Sequence, residues 1–186
     1  MALACKAELE RHGIKVKLSR TIDEDDPVSQ EVKECNAFNP DIALDCHNNA
    51  GGGDGFEVFY WPGSSDGERL ARLIETEIKA IGQNSRGLKS GKNLKFINST
   101  NCTAVLTEGF FIDSQKDRLV ADTIDEQKAF GIAYAKGVLK FFGISYIEKP
   151  SGQLYRVQVG AFSDKTNASI LANELRKKGY DAYVSS

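Results

Sequence analysis

Two residues that could do acid–base or metal chemistry each follow an apolar stretch typical of a buried β-strand. His47 follows the stretch 42–46, and a loop rich in asparagine and glycine comes after it. Glu108 follows the stretch 104–107 and precedes Gly109 and two phenylalanines. In open α/β sheets, ligands bind just beyond the carboxyl ends of the strands. We therefore expect His47 and Glu108 to face one another at one edge of a sheet.

These residue types favour metal-assisted hydrolysis. An imidazole can bind a metal ion, although a single histidine at a strand end can equally be structural. The two phenylalanines after Glu108 should partly desolvate its carboxylate and raise its pKa, which suits a general base acting on metal-bound water. An ion-paired structural glutamate is the alternative. Asn48 and Asn49 offer polar groups to a substrate, whereas Arg86 and Lys89 form either a solvated rim or a site for an anionic substrate group.

The remaining histidine and the cysteines have simpler interpretations. His12 lies in the last turn of a predicted helix, where it interacts favourably with the helix dipole. Asp45 shares a strand face with His47, whereas Cys46 points to the opposite face and is interpreted as a core thiol. The four cysteines are widely spaced and contain no CxxC pair, which predicts free thiols: Cys5, Cys35, Cys46 and Cys102.

Alternating helices and strands are predicted to position these residues. The predicted helices cover residues 3–12, 28–38, 65–81 and 125–142, and the predicted strands cover 14–18, 42–46, 56–60 and 103–107. Residues 84–95 are predicted to form a loop. This order predicts an α/β fold, an open, mostly parallel twisted sheet with helices on both faces. A small βαβ piece follows, with strands over 154–162 and 180–184 and a helix over 165–178.

The composition excludes several classes of function. The chain has 186 residues, a net charge of -2 and a pI near 5.8, which argue against nucleic acid as a partner. No apolar run approaches the length needed to span a membrane. Residues 1–13 have neither the basic region nor the long apolar region of a signal peptide.

Several separated motifs together resemble one enzyme family. In chain order they are residues 8–9 and 13–21, Cys35-Asn36, residues 41–50, residues 55–58, Arg86-Gly87-Leu88-Lys89 and residues 106–110. They resemble the zinc-dependent N-acetylmuramoyl-L-alanine amidases (amidase type 3) of autolysins, spore-lytic enzymes and phage endolysins, over residues 3–143. The resemblance implies a hydrolase that cleaves the amide between N-acetylmuramic acid and L-alanine of peptidoglycan by zinc-activated water. It implies that His47 is a zinc ligand and Glu108 the catalytic glutamate.

The resemblance also implies zinc ligands that this sequence does not contain. Family members hold zinc with two histidines and a glutamate, and the first histidine and the glutamate belong to segments that would precede Met1. A catalytic zinc site needs three protein ligands. We therefore expect an N-terminally truncated amidase that binds zinc weakly or not at all, with Asp45 and Asp54 as the first replacement ligands to test. The alternative is a non-catalytic wall-binding or regulatory fragment of such an enzyme.

The C-terminal residues resemble the first half of a SPOR (sporulation-related) repeat. The motif Val157-Gln158-Val159-Gly160-Ala161-Phe162 carries the resemblance, with a generic βαβ appendage as the alternative. The expected domains are an amidase-like domain over 1–143, a linker over 144–152 and a partial peptidoglycan-binding module over 153–186. A half-repeat predicts either self-association or a disordered tail. With no signal peptide in this chain, we expect release to the cell wall by phage lysis or mother-cell lysis.

Overall fold

The computed structural model describes residues 1–22, 26–149, 158–180 and 182–184, in two compact units, Met1–Ile147 and Glu148–Ser186. The elements of the first unit are α1 (Ala2–Arg11), α2 (Val28–Phe38), β1 (Ile42–Asn49), β2 (Phe56–Tyr60), α3 (Ser65–Ala80), β3 (Ser85–Ser90), α4 (Lys95–Ser99), β4 (Thr103–Phe111), α5 (Arg118–Ala121) and α6 (Ile124–Phe141). The second unit contains α7 (Lys165–Lys177).

The four strands form one mixed sheet in the order β1-β4-β2-β3. The pairs β1–β4 and β2–β3 are parallel, whereas β2 and β4 are antiparallel. The predicted α/β class is confirmed. The sheet is mixed because β4 enters between β1, to which it is parallel, and β2, to which it is antiparallel.

Helices cover both faces of the sheet, as predicted. Successive side chains of β4 point to opposite faces, and each face packs against helices. Ala104 points to a small cluster that also contains Val32 of α2, Ala43 of β1 and Phe96 of α4. Val105 points to the main core, beneath α1, α3 and α6. The largest fully buried side chains of that core are Tyr134, Phe56, Phe130, Leu70, Ile74, Ile78 and Leu139.

Two helix starts have side-chain caps just before the predicted helix bounds. The Ser64 hydroxyl accepts the Gly67 N–H at 3.0 Å and begins α3. Thr123 and Glu126 form a reciprocal capping box that begins α6. Such caps satisfy backbone donors that have no partner inside the helix, so they fix where each helix starts.

Two predicted elements are wrong. Residues 14–18 alternate in burial as a strand does, yet they pair with no strand among the described residues; with β1 they line a groove of about 390 Å³. The alternation reflects one-sided burial of Ile14, Val16 and Leu18, which does not require a sheet partner. The predicted loop 84–95 contains β3, which pairs with β2. The glycine and the cations of this segment are typical of a loop, but pairing with β2 stabilises residues 85–90 as a strand.

The second unit is described only in part. The predicted helix over 165–178 is confirmed as α7, which the Asp164 side chain caps by accepting the Thr166 N–H at 2.6 Å. The described parts of the two predicted strands, 158–162, 180 and 182–184, are not paired as strands. Residues 154–157 and 181 lie outside the described residues.

Candidate active site

Polar side chains from three neighbouring strands lie side by side at one level of the sheet. His47 of β1 pairs in register with Glu108 of β4, and Glu108 pairs in register with Glu57 of β2. Directly paired residues present their side chains on the same face of a sheet. The strands do not end at the two predicted residues. β1 continues to Asn49 after an irregularity in the pairing, and β4 continues to Phe111, because backbone pairing extends beyond the apolar stretch.

His47 is held by a carboxylate of its own strand. Its Nε2 lies 3.2 Å from Asp45 Oδ1, and its side chain is about half exposed. The hydrogen bond to Asp45 raises the pKa of His47, against the opposing effect of burial. Asp45 and His47 therefore share a face, as the two-residue strand period predicts. The second oxygen of Asp45, Oδ2, is buried without a hydrogen-bond partner.

Glu108 lies in an environment that disfavours its charge. Burial raises its pKa, the charges of Glu57 and Asp45 raise it further, and His47 opposes them. Its Oε2 is the other buried carboxylate oxygen without a partner among the described residues. A carboxylate with a raised pKa and an unpaired oxygen is suited to accept a proton from a reacting group.

Glu57 organises the other side of the site. Its Oε1 accepts a hydrogen bond from Arg86 Nε at 2.7 Å, and its Oε2 accepts one from Asn49 Nδ2 at 3.3 Å. Lys89 Nζ lies 3.9 Å from the same carboxylate, and the Arg86 guanidinium lies over the Phe111 ring, 5.4 Å from its centroid. Arg86 and Lys89 thus lie on β3 rather than in a loop. Sequence reasoning missed Glu57, although a single carboxylate within the apolar stretch of β2 was a usable signal.

The two asparagines after His47 point to different surroundings. Asn49 is not free for a substrate, because it donates to Glu57 and its Oδ1 accepts the Ala50 N–H at 2.9 Å. Asn48 lines a cleft of about 280 Å³ together with Ile112, Arg118 and Gln127. The structure thus brings Asn49 into the row of charged residues and leaves Asn48 facing an adjacent cleft.

The glycine-rich loop after β1 is tied down by two carboxylates that follow β4. Asp113 Oδ2 accepts the N–H groups of Gly51 and Gly52, both at 2.9 Å. Asp117 is buried and accepts the N–H groups of Gly55 and Phe111. Gly51 and Gly52 adopt φ angles of 108° and 81°, which other residues rarely adopt. The loop is therefore tightly turned, and neither aspartate was predicted.

The residues present do not make a complete metal centre. Nowhere in the described ranges do three His, Cys, Asp or Glu residues come together in a way that could hold a metal ion. His47 and Asp45 supply one pair of donors. His12 is used elsewhere, since its Nδ1 contacts Glu8 O at 2.7 Å and its Nε2 accepts the Ile147 N–H at 2.9 Å. This set falls short of the three protein ligands that a catalytic zinc site requires.

Comparison with known proteins decides the family. A family model described as N-acetylmuramoyl-L-alanine amidase matches residues 1–140. The chain belongs to the N-acetylmuramoyl-L-alanine amidase family. A second model, described as SPOR domain, matches residues 145–186, so the chain combines an amidase domain with a SPOR domain.

Relatives span both parts of the chain. The N-acetylmuramoyl-L-alanine amidase CwlM of Bacillus licheniformis is 35% identical over 179 residues, which are 94% of this chain and 68% of that protein. The sporulation-specific N-acetylmuramoyl-L-alanine amidase of Bacillus subtilis is 31% identical over 188 residues, 99% of this chain and 72% of that protein. The solved catalytic domain of CwlV from Bacillus (Paenibacillus) polymyxa var. colistinus has a TM-score of 0.70 at 23% identity, over 77% of this chain and 82% of its own. That structural match confirms the fold.

Family membership gives the activity that the motifs predicted. The amidase is a peptidoglycan hydrolase that cleaves the amide bond between N-acetylmuramic acid and L-alanine. In the part of the chain that the structure describes, no helix has the length and apolar character to span a bilayer. The prediction of peptidoglycan as the partner agrees with both matched domains.

Proposed function

We propose that Glu108 is the general base of this amidase and that His47 is a metal ligand beside it. The observation that carries this proposal is the in-register pairing of Glu108 with His47 on neighbouring strands. Glu108 Oε2 has no hydrogen-bond partner among the described residues, and the carboxylate of Glu108 is proposed to take the proton of the attacking water. The same carboxyl then gives that proton to the nitrogen of L-alanine as the amide bond breaks.

Arg86 and Lys89 are the proposed anion-binding side of the site. The peptide stem of peptidoglycan carries carboxylates, and a guanidinium can bind a carboxylate through two parallel hydrogen bonds. The Glu57 carboxylate accepts a hydrogen bond from Arg86 Nε, and the Arg86 side chain remains 44% exposed. Glu57 is therefore a positioning residue, which holds Arg86 beside Glu108. Asn48 is proposed to bind the substrate directly from the side of β1, whereas Asn49 contributes only by holding Glu57 in place.

Zinc binding by this chain is proposed to be weak or absent, although the resemblance implies a zinc enzyme. The described residues offer an imidazole and one adjacent carboxylate, which is one donor fewer than a stable catalytic site needs. Metal analysis after equilibrium dialysis should give clearly less than one zinc per chain, and His47→Ala should remove what remains. Stoichiometric, tight zinc would contradict this proposal and would identify a replacement ligand, with Asp45→Asn and Asp54→Asn as the first variants to test.

The reaction is tested on purified peptidoglycan with zinc in excess. Cleavage by an amidase releases new α-amino groups of L-alanine, whereas a glycosidase releases reducing ends. We expect amino groups from the unchanged chain, a loss of about 10²–10⁴-fold on Glu108→Gln, and no change on Glu68→Gln, an exposed glutamate of α3. Reducing ends, or full activity of the Glu108 variant, would contradict the assignment.

The C-terminal unit is proposed to bind peptidoglycan and to pair with a second copy. The proposed boundaries are those of the sequence, with a linker over 144–152 and a half-module over 153–186. Support comes from the exposed apolar side chains of its described part: Val159, Phe162, Ile170, Tyr180, Tyr183 and Val184. Sedimentation should show a concentration-dependent dimer that is lost in a chain ending at Gly143. A monomeric full chain with an ordered tail would contradict the pairing.

Access to the cell wall is proposed to follow lysis of the producing cell. The name of the Bacillus subtilis relative ties that protein to sporulation, which supports release when the mother cell lyses. Immunodetection of the chain before and after lysis tests this directly. Its presence outside intact cells would contradict the proposal.

A further inference from the structure

Two cysteine thiols that are far apart in sequence meet beside the sheet. Cys35 lies near the C-terminal end of α2, and Cys102 immediately precedes β4. Both pack against the small cluster under α2 and α4. The two thiols also interact with each other electrostatically, so they are neighbours in the reduced protein.

The backbone around the two thiols is held together by Asn36. Its Nδ2 donates to Ser99 O at 3.0 Å, and its Oδ1 accepts the Asn101 N–H at 2.8 Å. The residue after Cys35 is therefore bonded to the residue before Cys102. This two-point contact holds α2 against the start of β4, and it keeps the two cysteines that flank it close together.

Burial distinguishes this pair from Cys5, whereas Cys46 is partly buried like the pair. Cys35 and Cys102 are half-buried, whereas Cys5 is 5% exposed. Burial raises the pKa of Cys46 to about 12, with Asp45 adding to the effect. A soluble oxidant can therefore reach Cys35 and Cys102 more readily than the buried Cys5, and Cys46, within β1, serves as an internal comparison. All four are free thiols in this structure.

We propose that Cys35 and Cys102 form a modification site, a dithiol that low-molecular-weight disulfides oxidise to an intramolecular disulfide. In the first step the Cys35 thiolate attacks one sulfur of the oxidant; the sulfur–sulfur bond of the oxidant breaks and one small thiolate leaves. In the second step the Cys102 thiolate, its proton lost to solvent, attacks the Cys35 sulfur and expels the second small thiolate. Two electrons pass from the two cysteine sulfurs to the oxidant, which ends as two thiols.

The surroundings set the order of the two attacks. Burial raises the pKa of Cys35, but the hydrogen bond from Cys102 and the charge of Lys17 both act to lower it. The pKa of Cys102 is raised to about 12 by burial, by Cys35 and by Asp41. Because the thiolate is the nucleophile, Cys35 reacts first, and the reaction accelerates as the pH rises from 7 to 9.

The cross-link would lie on the sheet face that carries His47 and Glu108, at the opposite end of β4. Helix α2 also carries Glu31, whose carboxylate interacts electrostatically with Asp45 and His47. A disulfide would fasten α2 to β4, the strand that carries Glu108. It would also close a long loop of the chain, for which we expect the thermal midpoint to rise by about 5–10 °C.

The experiment treats the native full chain with oxidised glutathione at pH 8.5 and then blocks the remaining thiols. Digestion with trypsin and with a protease that cleaves before aspartate gives residues 34–40 with Cys35, 45–53 with Cys46 and 96–112 with Cys102. We expect fragments 34–40 and 96–112 to be joined by a reducible link in monomeric protein. Cys35→Ser and Cys102→Ser should each abolish it, whereas Cys5→Ala should retain it.

Each other result would overturn the inference. Stable glutathione on Cys35 without the cross-link would show that the sulfur atoms cannot meet. A link that involves Cys46, or one found only in covalent dimers, would show that different thiols react. Unreacted thiols at pH 8.5 after prolonged incubation would show that the site is inaccessible. The loss seen in the serine variants is meaningful if their thermal midpoints match that of the reduced parent.

Discussion

Two paired glutamates of the sheet should respond in opposite directions to the same substitution. Glu108 and Glu57 face each other in register on β4 and β2. Glu108 has a buried oxygen that finds no partner in the described part of the chain, whereas Glu57 accepts hydrogen bonds from Arg86 and Asn49. Replacement of Glu108 by Gln should stabilise the fold while it abolishes catalysis. Replacement of Glu57 by Gln should destabilise the fold.

The expected magnitudes follow from these contacts. Burial and the charges of Glu57 and Asp45 disfavour the charged carboxylate of Glu108, and glutamine removes that charge. An uncompensated buried group costs about 1–3 kcal/mol or more, and we take the lower end because Glu108 is only half-buried, so its Gln variant should gain about 1 kcal/mol. A hydrogen bond to a charged group contributes about 1.5–3 kcal/mol, and solvent reduces this for the partly exposed Arg86. The Glu57 variant should therefore lose about 1 kcal/mol, which separates the two variants by about 2 kcal/mol, roughly a 30-fold difference in unfolding constant.

The assay uses Trp61, the only tryptophan of the chain, which lies in the amidase unit. Its fluorescence during urea unfolding, at pH 7 with a metal chelator present, gives the stability of that unit. With about 2 kcal/mol/M for the dependence on urea, the two midpoints should move apart by about 1 M. The chelator ensures that metal bound to His47 does not contribute.

The pH dependence gives a second reading of the same effect. Because the pKa of Glu108 is raised in the folded state, its charge destabilises the fold at pH values above the folded pKa. This penalty shrinks as the pH falls through that pKa and vanishes below the pKa of the unfolded chain. The advantage of the Glu108 variant should therefore be largest at neutral pH and should disappear near pH 4. A Glu108 variant less stable than its parent at pH 7 would refute the reasoning.

Two further substitutions test the supports of the site. Gly137→Ala on α6 would place a Cβ 2.8 Å from Ile74 Cα, so we expect a loss of about 1–3 kcal/mol in urea unfolding; an unchanged midpoint would mean that α3 and α6 can separate freely. Asp117→Asn places an N–H donor against the N–H groups of Gly55 and Phe111. It should cost about 2 kcal/mol or more and increase protease cleavage within residues 50–55, and an uncleaved loop would contradict the anchoring role.

Sequence patterns predicted the helices and strands that are stabilised by residues within the same segment. The bounds of α2 and β2 match the prediction. Helix α2 ends shortly before Pro40, which stops a helix, and β2 is a short apolar run between two turns. β3 was missed because its stability comes from pairing with β2 and from the bond between Arg86 and Glu57. Neither contact leaves a signal within residues 85–90.

The same distinction applies to the site. The placement of His47 beside Glu108 follows from a general rule about strand ends, so two apolar stretches were enough to predict it. The part played by Glu57 depends on partners from β1, β3 and β4, which only the folded chain brings together. Asn49 shows the reverse case, since sequence suggested a free amide and the fold pairs it with Glu57.

The pattern of satisfied and unsatisfied carboxylates marks the site independently of the family. Glu77 is paired with Lys140, and Asp117 accepts backbone N–H groups. Among the described residues, the buried side-chain atoms without a partner are Asp45 Oδ2, on the strand of His47, and Glu108 Oε2, on the neighbouring strand. A folded chain tolerates such a cost mainly where function requires it. Keeping a carboxylate at Glu108 lowers the stability of the fold, and the proposed reaction requires that carboxylate. We therefore expect the glutamine variant to be more stable and less active than the unchanged chain.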